Sequence, residues 1–223
     1  MLNSRAFSDL LCSLYSDFSK VKKIKTKKIK KPVCKKFNLK EYKKQDMDYL
    51  RPLEELKKYI LKNLNRDFLG FYLHGSLSTK DYIKGWSDVD ALIILKKSAL
   101  SKNNILRIRN ILYKARKYLH EIDSLQHHGF KIVTEYDLDY YCQTYFPVEV
   151  FNYSKSFLDK DIIKQIRIRG SKKENTDALF WFIKYFNNLK IKKEHRMNSY
   201  KTKFFLHAVS LLPTLYLQSK GMH

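Results

Sequence analysis

Apolar side chains recur along this chain at two spacings, and the switches between them mark out the elements. Leu50, Leu53, Leu56, Ile60, Leu61 and Leu64 fall three or four residues apart, which predicts a helix over 46–65. Ile105, Ile108, Ile111, Leu112 and Leu119 predict a second helix over 103–120, with Arg107, Arg109, Lys114, Arg116 and Lys117 on its polar side. Between them lie two short apolar runs. Phe71-Tyr72-Leu73 leads into His74-Gly75-Ser76, which reads as a strand closing in a tight turn. Asp88 to Leu95, rich in aliphatic and β-branched residues, reads as another strand after a turn at Gly85-Trp86-Ser87. Further strands are expected at about 127–136 and 146–153. From Asp159 onward the spacing is helical again, over 177–189 and 203–219. Phe7, Leu10, Leu11, Leu14 and Phe18 predict a short amphipathic helix within 1–19. These elements divide the chain into an N-terminal segment (1–45), a mixed α/β domain (46–157) and a helical C-terminal region (158–223).

The chemistry concentrates between residues 71 and 95. Gly75 has no Cβ, so the backbone there can approach a ligand closely. A short helix is expected after Ser76, whose start would present N–H groups to an anion, with the Ser76 hydroxyl as a further donor. Lys80 and Lys84 follow closely and are candidates to meet a polyphosphate. Side chains alternate across a strand, so Asp88 and Asp90 project to one face while Val89 points into the core. Two adjacent carboxylates repel each other unless a cation lies between them, and hard oxygen donors suit Mg²⁺ or Mn²⁺.

The order apolar residue, Gly75, Ser76, a spacer of about a dozen residues, then Asp88-Val89-Asp90 resembles the signature of the DNA polymerase β-like nucleotidyltransferase superfamily. The resemblance covers roughly residues 68 to 155. It implies an α+β fold, a small mixed sheet with flanking helices followed by a helical region. It also implies transfer of an NMP from an NTP to an acceptor, with two divalent ions (Mg²⁺ or Mn²⁺) held by Asp88 and Asp90. Gly75 and Ser76 would then hold the nucleotide phosphates, with Lys80 and Lys84 beside them.

Active members of that superfamily carry a third acid on a later strand. Glu149, in Phe146-Pro147-Val148-Glu149-Val150-Phe151, has the apolar-acid-apolar setting and is the first choice for catalysis and metal binding; Glu135 is the second. A chain with no third acid near Asp88 and Asp90 would instead be a catalytically weak binding module of the same fold. His127 and His128 open the preceding strand. Adjacent residues on a strand face opposite sides, so the two are not expected to share a metal, and with no cysteine at ligand spacing no zinc site is expected.

Charge bears on the acceptor. The formal net charge is +23, and thirteen lysines fall between Lys20 and Lys44 with Glu41 as the one acid among them. Such a tract is a footprint for nucleic acid, which makes an RNA 3′ end one expected acceptor. A bias toward Lys, Ile, Asn and Tyr throughout the chain explains it equally well. A small molecule such as an aminoglycoside, or a protein hydroxyl, is the competing acceptor. Cys12, Cys34 and Cys142 are odd in number and far apart, which argues against a disulfide framework and for a reducing, cytoplasmic setting. No apolar run reaches the roughly 18 residues of a membrane span. The apolar helix over 203–219 is a candidate for packing on a partner subunit.

Overall fold

The computed structural model describes residues 13, 27–28, 34–142, 148–158, 162, 166–168, 172–192 and 198–220. Apart from residue 13, the helix expected over 1–19 lies outside them, as do about half of the lysine tract and the side chain of Glu149. In chain order the strands are β1 (Lys27–Lys28), β2 (Lys35–Lys36), β3 (Phe68–His74), β4 (Asp90–Leu95), β5 (Lys131–Thr134), β6 (Lys155–Ser156) and β7 (Arg167–Ile168). The α-helices are α1 (Met47–Leu64), α2 (Ser76–Thr79), α3 (Lys102–Ile122), α4 (Glu135–Asp139), α5 (Lys172–Lys192) and α6 (Ser199–Ser219).

Alternation along β3 and β4 decides the architecture. Phe71, Leu73, Ala91 and Ile93 face one way and pack on α1 through Leu50, Leu53, Leu56 and Ile60, and on α3 through Ile108, Leu112, Ala115 and Leu119. Tyr72, Leu92 and Ile94 face the other way, against Val133, Leu138, Tyr141, Val148 and Phe151. Both faces are therefore buried, which is why β3 and β4 read as nearly continuous apolar runs. The five-stranded sheet has the order β2-β6-β3-β4-β5. β3 runs antiparallel to β4 and β6, while β5 lies parallel to β4 and β2 parallel to β6. This is the expected mixed sheet of an α+β domain.

Two local expectations are corrected. The strand expected over 127–136 is confined to 131–134; residues 127–130 are irregular and 135–139 form α4. The strand expected over 146–153 is a 3₁₀ helix over Val148–Tyr153. Val148 and Phe151, three residues apart, are both buried, which matches three residues per turn rather than strand alternation. The sheet also draws in residues from the basic segment. β2 adds an edge strand, and Phe37 and Tyr42 enter the core.

The register of the edge strands sets where that segment enters. Lys155 pairs with Leu73, and Lys35 pairs with Lys155, so Lys35 stands level with the end of β3 that leads into His74 and Gly75. Lys155 donates to Glu41 at 2.7 Å, and Lys80 lies 3.1 Å from the same carboxylate. These two cations, Lys155 first, hold the Glu41 carboxyl down at about 2. The C-terminal helices α5 and α6 pack on each other through Tyr185 with Phe204 and Phe186 with Phe205. Phe180 and Trp181 on α5, and Leu206 and Tyr216 on α6, stay exposed.

Candidate active site

The carboxylate pair stands where β3 and β4 end together. His74 is the register partner of Asp90, so the turn that follows His74 is packed against the Asp90 side chain. Gly75 makes this possible. Its φ is +70°, and a Cβ added there would fall inside any real contact distance of Asp90 Oδ2. The chain then turns into α2, a single turn starting at Ser76. Tyr42 donates to the Leu77 carbonyl at 2.7 Å and the Ser78 hydroxyl donates to the Tyr153 carbonyl, so the turn is fixed from both sides.

Asp88 and Asp90 carry side chains that are 13 % and 16 % exposed, and two histidines close on them. His128 Nε2 lies 2.8 Å from Asp90 Oδ1 and 3.2 Å from Asp88 Oδ2. His127 Nδ1 lies 3.3 Å from the same Asp88 oxygen. The expectation that these adjacent histidines face apart is thus corrected. It presumed a strand, whereas residues 127–130 are irregular and both rings turn to Asp88, with centroids 4.0 Å apart.

Gln126 holds this loop in place. Its Oε1 accepts from the Val89 N–H at 2.9 Å; its Nε2 donates to the Val89 carbonyl at 3.1 Å and to the His128 carbonyl at 2.8 Å. Val89 separates the two carboxylates in sequence, so one side chain ties them to the histidines. The far wall of the cleft comes from α6. Ser76, Trp86, Asp88, His127, Lys203 and His207 surround a cavity of about 320 Å³. Lys203 is buried, pairs with Asp123 at 2.5 Å and lies 5.7 Å from the centre of the Trp86 ring. Tyr200 donates to the His127 carbonyl at 3.3 Å.

Burial and charge tune these groups in opposite directions. Burial first, and then the Asp90 charge, raises the Asp88 carboxyl above its ordinary range. Burial would raise Asp90 too, but its hydrogen bond to His128 and the nearby histidine and lysine charges hold it below that range. Burial lowers His74 and His127 to about 4, so both rings are neutral at pH 7. His207 is lowered by the same cause.

The residues singled out from the sequence are thus partly gathered. Gly75, Ser76, Asp88 and Asp90 meet at the cleft. Lys80 and Lys84 line a second cavity with Glu41, Tyr42, Asp46 and Tyr82, where Lys80 pairs with Glu41 and Lys84 with Asp46. Glu135 accepts from the Lys97 N–H at 2.9 Å beyond the other end of β4, because Thr134 pairs with Leu95. The backbone of Glu149 lies in the 3₁₀ helix, and its side chain is outside the described residues. Sequence reasoning missed Gln126, His127, Lys203 and His207 as site residues. The His127-His128 doublet was a signal; nothing in the pattern distinguished Gln126 or Lys203.

The family profile described as a nucleotidyltransferase domain matches residues 53–195, which span strands β3 to β6, the carboxylate pair, the histidine loop and α5. The chain belongs to the nucleotidyltransferase domain family. No curated protein and no solved structure is significantly similar to it. Nucleotidyltransferase domains move a nucleotidyl group from an NTP substrate and typically use divalent metals. The residues here fit such an ion. Asp88 Oδ2 and His127 Nδ1 are buried without a hydrogen-bond partner, and the donor atoms of Asp88, His127 and His128 lie within 4.8 Å of one another. No described helix is long and apolar enough to cross a membrane.

Proposed function

We propose that this nucleotidyltransferase transfers an NMP from an NTP to an acceptor hydroxyl, releasing pyrophosphate, and that the acceptor is the 3′ end of an RNA. The observation that carries the reading is the meeting of Asp88, Asp90 and the Gly75-Ser76 turn at one cleft. In the reaction the acceptor oxygen bonds to the α-phosphorus, the bond from that phosphorus to the bridging oxygen breaks, and the acceptor proton leaves to a base. Divalent ions held by Asp88 and Asp90, two by resemblance to the polymerase β-like superfamily, would neutralise the phosphate oxygens and clamp the attacking and leaving oxygens.

The chain's own residues have distinct tasks in this reading. Gly75 lets the backbone approach the β- and γ-phosphates, and the Ser76 hydroxyl donates to them. Val89 and Gln126 fix the spacing of the two carboxylates. The Asp123 carboxylate holds the Lys203 ammonium at the cleft wall, where it meets anionic substrate.

The acceptor reading draws on the same wall. Among the described residues, Asp88 is the one acid lining the cavity, and Lys203 lines it too. A cationic drug would find little to bind there; an acceptor with phosphates would. The lysine tract, entering the sheet at Lys35, supports the same class.

Incubation of the protein with each labelled NTP, Mg²⁺ or Mn²⁺, and total RNA tests the proposal. Label is expected on RNA with the wild type and absent with the Asp88→Ala/Asp90→Ala protein. Label on a small molecule or on protein, with none on RNA, would overturn the acceptor. Label that survives the double substitution would overturn the site.

A further inference from the structure

The histidine doublet raises a question that the carboxylates alone do not. Mg²⁺ prefers oxygen donors and keeps much of its water, and the polymerase β-like resemblance leads one to expect a third acid beside Asp88 and Asp90. Among the described residues, the cluster of metal-ligating side chains at this site is instead Asp88, His127 and His128. The donor set is one carboxylate and two imidazoles.

Burial makes that set hard to explain without a cation. The His127 side chain is 3 % exposed and its Nδ1 has no hydrogen-bond partner. It faces Asp88 Oδ2 at 3.3 Å, and that buried oxygen has no hydrogen-bond partner either. A buried polar atom without a hydrogen bond costs roughly 1–3 kcal/mol; Asp88 Oδ2 has the two imidazole nitrogens beside it, His128 Nε2 at 3.2 Å and His127 Nδ1 at 3.3 Å, yet no hydrogen bond. A single ion between Asp88 Oδ2 and His127 Nδ1 would satisfy both. The loop is also held ready for one. Gln126 grips the His128 carbonyl and Tyr200 the His127 carbonyl, so the positions of the two imidazoles are set from α6 and from the strand start together.

We propose that Asp88, His127 and His128 bind one divalent ion of the imidazole-preferring kind, Zn²⁺ or Co²⁺ ahead of Mg²⁺. Imidazole nitrogen favours the later first-row ions, whereas carboxylate and water favour Mg²⁺ and Mn²⁺. The inference builds on the reading of this cleft as the transfer site. It adds that the ion held on the histidine side differs in kind from one held by oxygen donors alone.

The test follows the rings directly. Protein labelled with ¹⁵N-histidine is titrated with Zn²⁺ and, separately, with Mg²⁺, reading ring-nitrogen resonances by NMR and affinity by calorimetry. One equivalent of Zn²⁺ is expected to shift the ring nitrogens of two of the seven histidines, identified by their loss in His127→Gln and His128→Gln. Mg²⁺ should leave them in place. Each variant should bind Zn²⁺ at least roughly tenfold more weakly. Asp88→Asn, which keeps the shape of the side chain, replaces the histidine variants if they fail to fold. Rings that stay unshifted with Zn²⁺, or variants that bind it as tightly as wild type, would overturn the proposal. Transfer assays run alongside separate the two readings. Transfer in Mg²⁺ with unshifted rings removes this ion and keeps nucleotidyl transfer. Shifted rings with no transfer from any NTP keep the ion and remove transfer.

Discussion

Gln126 pairs with both backbone groups of Val89, accepting from its N–H at 2.9 Å and donating to its carbonyl at 3.1 Å. This side-chain clamp fixes the residue between Asp88 and Asp90 where the strand ladder has yet to begin. Gln126→Leu keeps the bulk and removes the clamp. It leaves the Val89 N–H and carbonyl buried without partners, at about 1–3 kcal/mol for each group. Chemical denaturation should show that loss, and nucleotidyl transfer should fall with it. A variant as stable as wild type would show the clamp to be incidental.

Gly75→Ala tests the packing of the turn on Asp90. The added methyl has no room beside the carboxylate, and the φ of +70° is strained for any L side chain. We expect about 1–3 kcal/mol of destabilisation from the backbone alone. We also expect a loss in kcat of roughly a hundredfold, the scale of displacing a reacting group by about 1 Å. Kinetics beside thermal unfolding separate the two effects; full activity would mean that Asp90 tolerates the shift.

The Lys203–Asp123 pair joins α6 to the residue that caps α3, with both side chains buried. Breaking a buried pair by removing one partner strands the other charge. Lys203→Met alone should therefore destabilise by about 3–5 kcal/mol, and adding Asp123→Leu should restore much of it. If the double variant is no more stable than Lys203→Met, the pair is not coupled in this way.

Acid should unfold the protein through its buried histidines. His74 is 5 % exposed and its pKa is lowered, chiefly by burial, to about 4, against 6.5 in the unfolded chain. Between those values the unfolded state binds the proton and the folded state does not, so stability falls as pH drops from 6.5 to 4 and then levels off for this group. The loss is on the order of 3 kcal/mol for His74. Melting temperatures across that window should fall for wild type and fall less for His74→Leu. Equal slopes would place the titrating group elsewhere.

Much of the domain was legible because its helices and central strands obey simple periods. The stripe from Leu50 to Leu64 became α1, the run from Ile105 to Leu119 became α3, and Asp90 to Leu95 became β4. The legible part of the site was local as well: Gly75 needs its backbone freedom, and Asp88 and Asp90 lie two residues apart. What escaped was decided by contacts distant in sequence. His127 turns to Asp88 because Gln126 bonds to Val89, and Lys203 enters the cleft because Asp123 is buried beneath it. Val148-Glu149-Val150 alternates like a strand, yet Val148 and Phe151, three residues apart, are buried together and the segment coils into a 3₁₀ helix.

The register of β2 gives the lysine tract a further meaning. Lys35 enters the sheet level with the end of β3 that leads into the phosphate turn, and three strand spacings, about 14 Å, separate β2 from β4. Under the proposed acceptor reading, an anionic chain captured by the tract would be tethered near the carboxylates rather than free in solution. Its encounter with Asp88 and Asp90 would then be intramolecular, governed by an effective concentration that the length of the tract sets and that dilution of the acceptor does not change.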